Sequence, residues 1–177
     1  MKDGHSRGPG IVAFLLLITA LQGHAGDLSL FNEISLENSA DISQTGSDLS
    51  AYVSQTGGNT ATVDQNGHQH QSRLIQNGHG NQADILQYGT AQQADITQLG
   101  WENLAIVAQY GTGNIVTIDQ NGISNTAIVE QLGEYNFAAI AQYGIGNHAE
   151  VSQHGTTNTV SVSQYGAGMY VSIQQWD

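Results

Sequence analysis

The stretch Asn103-Leu104-Ala105-Ile106-Val107-Ala108-Gln109-Tyr110-Gly111 decides the fold, because almost every segment from Asn38 onward is a variant of it. Its glutamine recurs with a glycine two residues later, and a last copy lacks that glycine. These glutamines are Gln44, Gln55, Gln65, Gln76, Gln87, Gln98, Gln109, Gln120, Gln131, Gln142, Gln153, Gln164 and Gln175. They are eleven residues apart, except for ten between Gln55 and Gln65. A fixed short period is typical of an architecture in which similar units stack on one another.

Each unit predicts one strand and one turn. An asparagine usually stands six residues before the glutamine, and small or β-branched residues alternate with variable ones between them. Period two over seven residues indicates a strand. The four remaining residues contain a glycine, which can take the positive φ that a reversal requires. The turn glycines include Gly89, Gly100, Gly111, Gly122, Gly133, Gly144, Gly155 and Gly166.

The period predicts an all-β fold, a two-sheet β-solenoid of amyloid-like character. Two strand-turn units of eleven residues make a 22-residue coil. If each coil stacks on the last, strands 22 residues apart pair in parallel and in register, about 4.8 Å apart. Thirteen strands are expected, alternating with short turns.

The two amides of each unit share a strand face with the aliphatic residues, so we expect them to face inward. Stacked Asn or Gln side chains can hydrogen-bond to the identical residue one layer away, which avoids a cost of roughly 1–3 kcal/mol per unpaired buried amide. Alternatively, these amides are ordinary solvent-facing residues, but that interpretation does not explain why they recur on the same strand face as the aliphatic residues. The predicted glutamine ladders are Gln87, Gln109, Gln131, Gln153 and Gln98, Gln120, Gln142, Gln164. The predicted asparagine positions include Asn81, Asn103, Asn125, Asn147 and Asn114, Asn136, Asn158.

Two segments precede the repeats at 38–177. Residues 1–25 have basic residues, an apolar run and small residues at the end, which predicts a cleaved secretory signal peptide. A membrane anchor is the alternative, although the run is short for about 30 Å of hydrocarbon. Residues 26–37 do not fit the repeat, and we expect either a frayed end or an address read by an export machine.

Charge and cysteine content exclude several classes of protein. Beyond residue 25 a single basic residue, Arg73, faces fourteen carboxylates, a net charge of −13 with histidine neutral. So acidic a chain could neutralise essentially no phosphates, which predicts that it does not bind nucleic acid. It contains no cysteine, so an exported protein must gain its stability without disulfides.

Outward positions vary more than inward ones. Carboxylates are dispersed over both sheets, as expected where stacked like charges destabilise: Asp41, Asp64, Asp84, Glu130 and Glu150 on one, Asp95 and Asp119 on the other. Two outward groups are apolar: Leu104, Ile106 and Ala108 on the first sheet, and Phe137, Ala139 and Ala141 on the second. They are either tolerated surface variation or lateral contacts between filaments.

The sequence predicts no enzyme, cofactor or small-molecule substrate. Carboxylates recur singly rather than as an acid and base couple. His68, His70 and His79 cluster around irregular units, and a transition-metal contact there is the alternative to an ordinary polar role. We expect no metal site, because no carboxylate or cysteine stands in a fixed relation to these histidines.

The pattern Gln-x-Gly-x-x-Asn-x-Ala-x-x-x-Gln, as read from Gln76 to Gln87 and from Gln98 to Gln109, resembles the curlin repeat. The resemblance covers nearly all of the chain after residue 37. It implies a subunit of curli, the functional amyloid of bacterial surfaces, that supports adhesion and biofilm. It also implies export through the outer membrane by a secretion channel and accessory factors, with polymerisation alongside other curlin subunits at the cell surface.

Within that family, the chain is more similar to the minor, nucleating subunit than to the major one. Met169 takes the Asn position of the last unit, which resembles the degenerate terminal repeat of the nucleator. Met169, Tyr170 and Trp176 are therefore candidates for a nucleating or anchoring end. Unlike the terminal repeat of the nucleator, this end has no basic residues. The alternative within the family is therefore a major, fibre-forming subunit. A soluble secreted solenoid that binds a ligand is the alternative from another class.

Overall fold

A computed structural model describes residues 38–177 and contains eleven strands in that part of the chain. The predicted signal peptide, 1–25, and the segment 26–37 lie outside the described residues. The strands are β1 Ser39–Ser47, β2 Ser50–His68, β3 Gln71–Thr90, β4 Gln93–Trp101, β5 Leu104–Thr112, β6 Ile115–Ile123, β7 Thr126–Glu134, β8 Phe137–Ile145, β9 His148–Thr156, β10 Thr159–Ala167 and β11 Tyr170–Trp176. Within 38–177, no helix has the length and apolarity that a membrane crossing requires.

These strands form a parallel β-solenoid with coils of about 22 residues, which confirms the predicted fold class. From β3 onward every strand pairs with the strand 22 residues away, so that Gln87 lies opposite Gln109 and Gln98 opposite Gln120. The first wall consists of β1, residues 60–68 and 82–90, β5, β7, β9 and β11. The second wall consists of residues 50–58 and 71–79, β4, β6, β8 and β10.

The prediction of thirteen strands is wrong, because β2 and β3 each contain two units. These two strands stay paired around one corner of the solenoid, where Gly57 lies opposite Gly78 and Gly58 opposite His79. The register then shifts between Gly58 and Thr60, which absorbs the one residue missing from the ten-residue spacing. A β-bulge of this kind lets two strands of unequal length keep their hydrogen bonds. As a consequence, β3 joins both walls into one hydrogen-bonded sheet.

The core is a narrow slab between the walls, filled by two aliphatic positions per unit. In β5 and β6 these are Ala105, Val107, Val116 and Ile118, all buried. The alternation of strand side chains turns both positions of each strand into the slab. Each core residue therefore packs against its equivalent in the layers above and below, and the repeat in sequence becomes a repeat in packing.

The turns explain why one glycine per unit recurs. Gly111 has φ of +113°, and a Cβ built there would overlap the carbonyl oxygen of Gly133 in the next layer. The second turn position is less demanding: Gly113, Tyr135 and Thr157 succeed one another there with φ near +60°. Backbone contact between layers, rather than the turn conformation alone, therefore restricts the first position to glycine.

Candidate functional site: the amide columns and the two ends of the solenoid

The glutamines form one continuous column inside each wall. Nε2 of Gln87 donates to Oε1 of Gln109 at 2.9 Å, and Nε2 of Gln109 donates to Oε1 of Gln131 at 3.0 Å. The first-wall column runs through Gln44, Gln65, Gln87, Gln109, Gln131, Gln153 and Gln175. The second-wall column runs through Gln55, Gln76, Gln98, Gln120, Gln142 and Gln164. Both columns thus extend beyond the eight glutamines singled out in the sequence.

Each glutamine from Gln55 onward also bridges the two walls. The second N–H of Gln109 donates at 3.0 Å to the carbonyl of Gln93, which begins a second-wall strand, and Gln120 does the same toward Leu104 at 2.9 Å. These side chains are fully buried, so an amide with any of these bonds missing would carry the cost of an unpaired polar group. The columns therefore fix both the register between layers and the closure between walls.

Asparagine columns stand at the corners and have the opposite polarity. The backbone N–H of Asn125 donates at 3.1 Å to Oδ1 of Asn103, one layer toward the N-terminus. Asn103 in turn donates to Asn81, and on the second wall Asn158 and Asn136 each donate to the preceding layer. The asparagine amides also donate to turn carbonyls, as Asn103 does to Gly122 at 3.1 Å. The asparagines thus connect each corner to the layers on both sides.

Two polar residues replace asparagine in the second-wall column, and their spacing in the sequence was the signal that could have revealed them. His70 and Gln92 stand in phase with Asn114, and both are buried. Nδ1 of His70 accepts the backbone N–H of Gln92 at 3.2 Å, and its Nε2 lies 3.1 Å from the carbonyl of Asn66. Burial lowers the pKa of His70, partly offset by the Asn66 carbonyl, while His68 lowers it further. Oε1 of Gln92 is buried without a hydrogen-bond partner in residues 38–177.

The three histidines lie in separate environments. His70 faces the core, His68 is exposed and bonds through Nδ1 to Oγ of Ser47 at 2.7 Å, and His79 lies 6.2 Å from the ring of Trp101. The structure therefore does not bring all three together. Within the described residues, no group of three or more His, Asp or Glu side chains could hold a metal ion.

The outer surface separates its charges. Asp95 lies between Arg73 and Thr117 and is 3.1 Å from the Arg73 guanidinium, and Asp119 lies between Thr97 and Ala141. The Tyr143 hydroxyl donates to Asp119 at 2.6 Å, and this bond together with the carboxylate charge raises the pKa of Tyr143. The remaining outward carboxylates, Asp41, Asp64, Asp84, Glu130 and Glu150, each lie opposite uncharged residues.

One corner presents a column of exposed apolar side chains that the sequence analysis missed. Trp101, Ile123 and Ile145 lie directly above one another and are 60%, 45% and 56% exposed. Their fixed position three residues after the glutamine was the available signal. Of the two predicted patches, the first-wall one, Leu104, Ile106 and Ala108, is half-buried, while in the second-wall one Phe137 is exposed and Ala139 and Ala141 are half-buried.

The C-terminal end differs from every earlier layer. Met169 occupies the corner position of asparagine, and its backbone N–H donates to Oδ1 of Asn147 at 3.2 Å. Tyr170 stacks on His148 at 5.2 Å, and Trp176 packs edge-on against His154. Asp177 stands at the turn-glycine position, where its carboxylate accepts the Thr156 N–H at 2.8 Å. The end thus presents large exposed aromatics where earlier layers have a further coil.

The family model described as the Curlin associated repeat matches this chain four times, at residues 37–67, 58–89, 89–122 and 122–155. The matches cover about two thirds of the chain and include both the regular and the irregular layers. No curated protein matches the chain.

Proposed function

Because this chain belongs to the curlin associated repeat family, we propose that it is a structural subunit of extracellular curli amyloid fibres. The observation that carries the proposal is the open edge of the stack. In the described residues, β11 pairs only with β9, and β10 pairs only with β8. Such edges present N–H and C=O groups to a further strand, and the in-register columns define which strand fits.

Polymerisation of the purified chain tests this function. We expect thioflavin-positive fibres without any cofactor, with reflections near 4.8 Å and about 10 Å. A chain that stays monomeric for days at micromolar concentration would contradict the proposal and favour a soluble solenoid that binds a ligand.

Within the fibre, we further propose the role of the minor subunit, which nucleates polymerisation at the cell surface and so supports adhesion and biofilm. The support is Met169, which interrupts the first-wall asparagine column after Asn147, together with the exposed Tyr170 and Trp176. A seed needs a formed edge on which incoming chains fold, and interruption of the column restricts which chains fit that edge. On this proposal the chain is exported through the outer membrane by the curli secretion channel and its accessory factors, with residues 26–37 as the address.

A seeding experiment separates this role from that of the major fibre-forming subunit. A small fraction of this chain should abolish the lag of the major curlin subunit from the same source, and deletion of residues 167–177 should remove that activity. A truncated chain that seeds at the full-length rate would refute the role of the end. If deletion spares self-assembly and the chain is the abundant fibre component, it is the fibre-forming subunit, a role that the continuity of both glutamine columns supports.

A further inference from the structure

The two ends of the solenoid have related but unequal layers. The C-terminal end layer consists of β10 on the second wall and β11 on the first. The N-terminal end layer consists of β1 on the first wall and residues 50–57 of β2 on the second. The described solenoid contains an odd number of units, thirteen glutamines in phase from Gln44 to Gln175. Its first and last units therefore lie on the same wall.

We propose that the C-terminal end of one copy binds the N-terminal end of a second copy that is turned by half a revolution about the solenoid axis. This inference rests on the proposed function as a self-assembling subunit. In this arrangement β1 of the second copy pairs with β10, and residues 50–57 pair with β11. A copy that is only translated would place β1 over β11 and leave one strand position empty above β10. The half-turn fills both walls, because it continues the alternation of units that runs through each copy.

The glutamine columns continue across this junction. Gln142 gives one N–H to the Thr126 carbonyl and the other to Oε1 of Gln164. Gln164 likewise donates across the core to His148 at 3.0 Å, but its other N–H goes to the Met169 carbonyl. In the half-turn arrangement, Oε1 of Gln44 in the second copy supplies the missing acceptor for Gln164. Oε1 of Gln55 does the same for Gln175, and no group in residues 38–177 of its own copy donates to either oxygen.

The corner columns distinguish the two arrangements more sharply. Two apolar residues interrupt the corner positions: Met169 in the last unit and Leu49 in the second, both half-buried. The half-turn places Leu49 of the second copy over Met169, and Asn38 of the second copy over Asn158. Amide then meets amide, and apolar side chain meets apolar side chain. Translation instead places Asn38 over Met169, whose side chain cannot accept the Asn38 backbone N–H, and it brings no donor to Oδ1 of Asn158. Oδ1 of Asn38 accepts from Asn59 of its own copy in either arrangement.

Paired cysteines test which strands meet, since the natural chain contains none. In the half-turn arrangement, outward Ser161 of β10 lies directly opposite outward Asp41 of β1, about 5 Å away as for neighbouring strands. Within one copy these residues stand almost at opposite ends of the stack. Fibres of the variant Ser161→Cys with Asp41→Cys should therefore oxidise into covalent multimers. The matched control, Ser172→Cys with Asp41→Cys, pairs only if copies are translated.

The crosslinking outcomes distinguish a failure of the proposed junction from a failure of the proposed function. Multimers from the Ser161 pair and none from the Ser172 pair support the half-turn. The reverse result overturns it, as does the formation of fibres that neither pair crosslinks, while the proposed function stands in both cases. Absence of fibres from the unsubstituted chain refutes the proposed function and the junction together.

Discussion

The regular layers at residues 103–155 and the irregular layers at residues 57–92 build the same corner from different side chains. In the regular layers, Oδ1 of Asn103 accepts the backbone N–H of Asn125 at 3.1 Å. In the irregular layers, Nδ1 of His70 accepts the backbone N–H of Gln92 at 3.2 Å. The corner therefore requires an inward acceptor for the next layer's backbone N–H, and an imidazole nitrogen serves as well as an amide oxygen.

The comparison also shows what irregularity costs. Gln92 is one methylene longer than asparagine, and its Oε1 is buried without a partner in the described structure, whereas Nε2 still reaches the Gly111 carbonyl at 2.8 Å. Ser72 replaces the small core residue, and its hydroxyl lies 3.3 Å from Nε2 of Gln65. The irregular layers thus keep the main hydrogen bonds but leave polar groups less completely satisfied. Stability should therefore be lower there than in the regular layers.

Removal of one glutamine from each region should give the largest difference. Gln120→Leu leaves the Gln98 amide, the Gln142 oxygen and the Leu104 carbonyl unpaired, so we expect a loss of at least about 3 kcal/mol. Gln92→Leu also removes an oxygen that has no partner, so the loss should be about 1 kcal/mol. The measurement is the guanidinium concentration at which β-structure is half lost.

The neighbouring Gln93 provides a matched control, because its side chain is exposed. Gln93→Leu should change stability by no more than about 0.5 kcal/mol. Equal losses for Gln120→Leu and Gln92→Leu would show that the two regions satisfy their amides equally well.

Acid should expose a smaller difference, confined to the irregular layers. The folded pKa of His70 is lowered below its ordinary value of 6.5, chiefly by burial, so the folded state favours the neutral ring. The unfolded chain binds the proton more readily, and the stability contributed by neutral His70 is present above pH 6.5 and declines as pH falls below it. We therefore expect unsubstituted solenoid, compared with His70→Asn, to lose stability as pH falls from 7 toward 5.

The informative quantity is the difference in stability between the unsubstituted chain and His70→Asn at each pH. Carboxylates protonate in both chains and reduce their self-repulsion equally, so their effect cancels in this difference. Hydrogen exchange of the Gln92 amide reports the same event locally, since protonation of Nδ1 removes its acceptor. Parallel pH profiles for the two chains would mean that His70 does not weaken this layer.

Surface pairs should give the smallest effect in either region. Tyr143→Phe removes the bond to Asp119 in the regular layers, and Arg73→Gln removes the ion pair with Asp95 in the irregular ones. The ion pair is exposed and the Tyr143–Asp119 pair is half-buried at the surface, so each loss should be within about 1 kcal/mol. A larger loss in unfolding experiments, present at low salt and absent at high salt, would show that the acidic surface makes these contacts more important than their exposure implies.

The sequence predicted the repeat-dependent part of the structure and missed what depends on single substitutions. Parallel coils followed from the spacing of the glutamines, and the fold class was correct. The continuity of β2 and β3 around a corner was missed, because the ten-residue spacing alone does not show that Gly57 and Gly58 keep their backbone pairs. The corner role of His70 was missed because it depends on the position of His70 in the repeat, and not on the neighbouring histidines that suggested a metal contact. The apolar column at Trp101 was missed for a similar reason, since turn positions carry no alternation.

The opposed polarity of the glutamine and asparagine columns has an electrostatic consequence for a long stack. Glutamine Oε1 accepts from the layer on its N-terminal side, whereas asparagine Oδ1 accepts from the layer on its C-terminal side. Their carbonyl dipoles therefore point in opposite directions along the axis and largely cancel within each layer. Aligned dipoles would sum to partial charges at the two ends, as they do in an α-helix. Here a filament of any length accumulates little side-chain macrodipole, so the charge at its growing end is set by local carboxylates and not by the number of layers behind it.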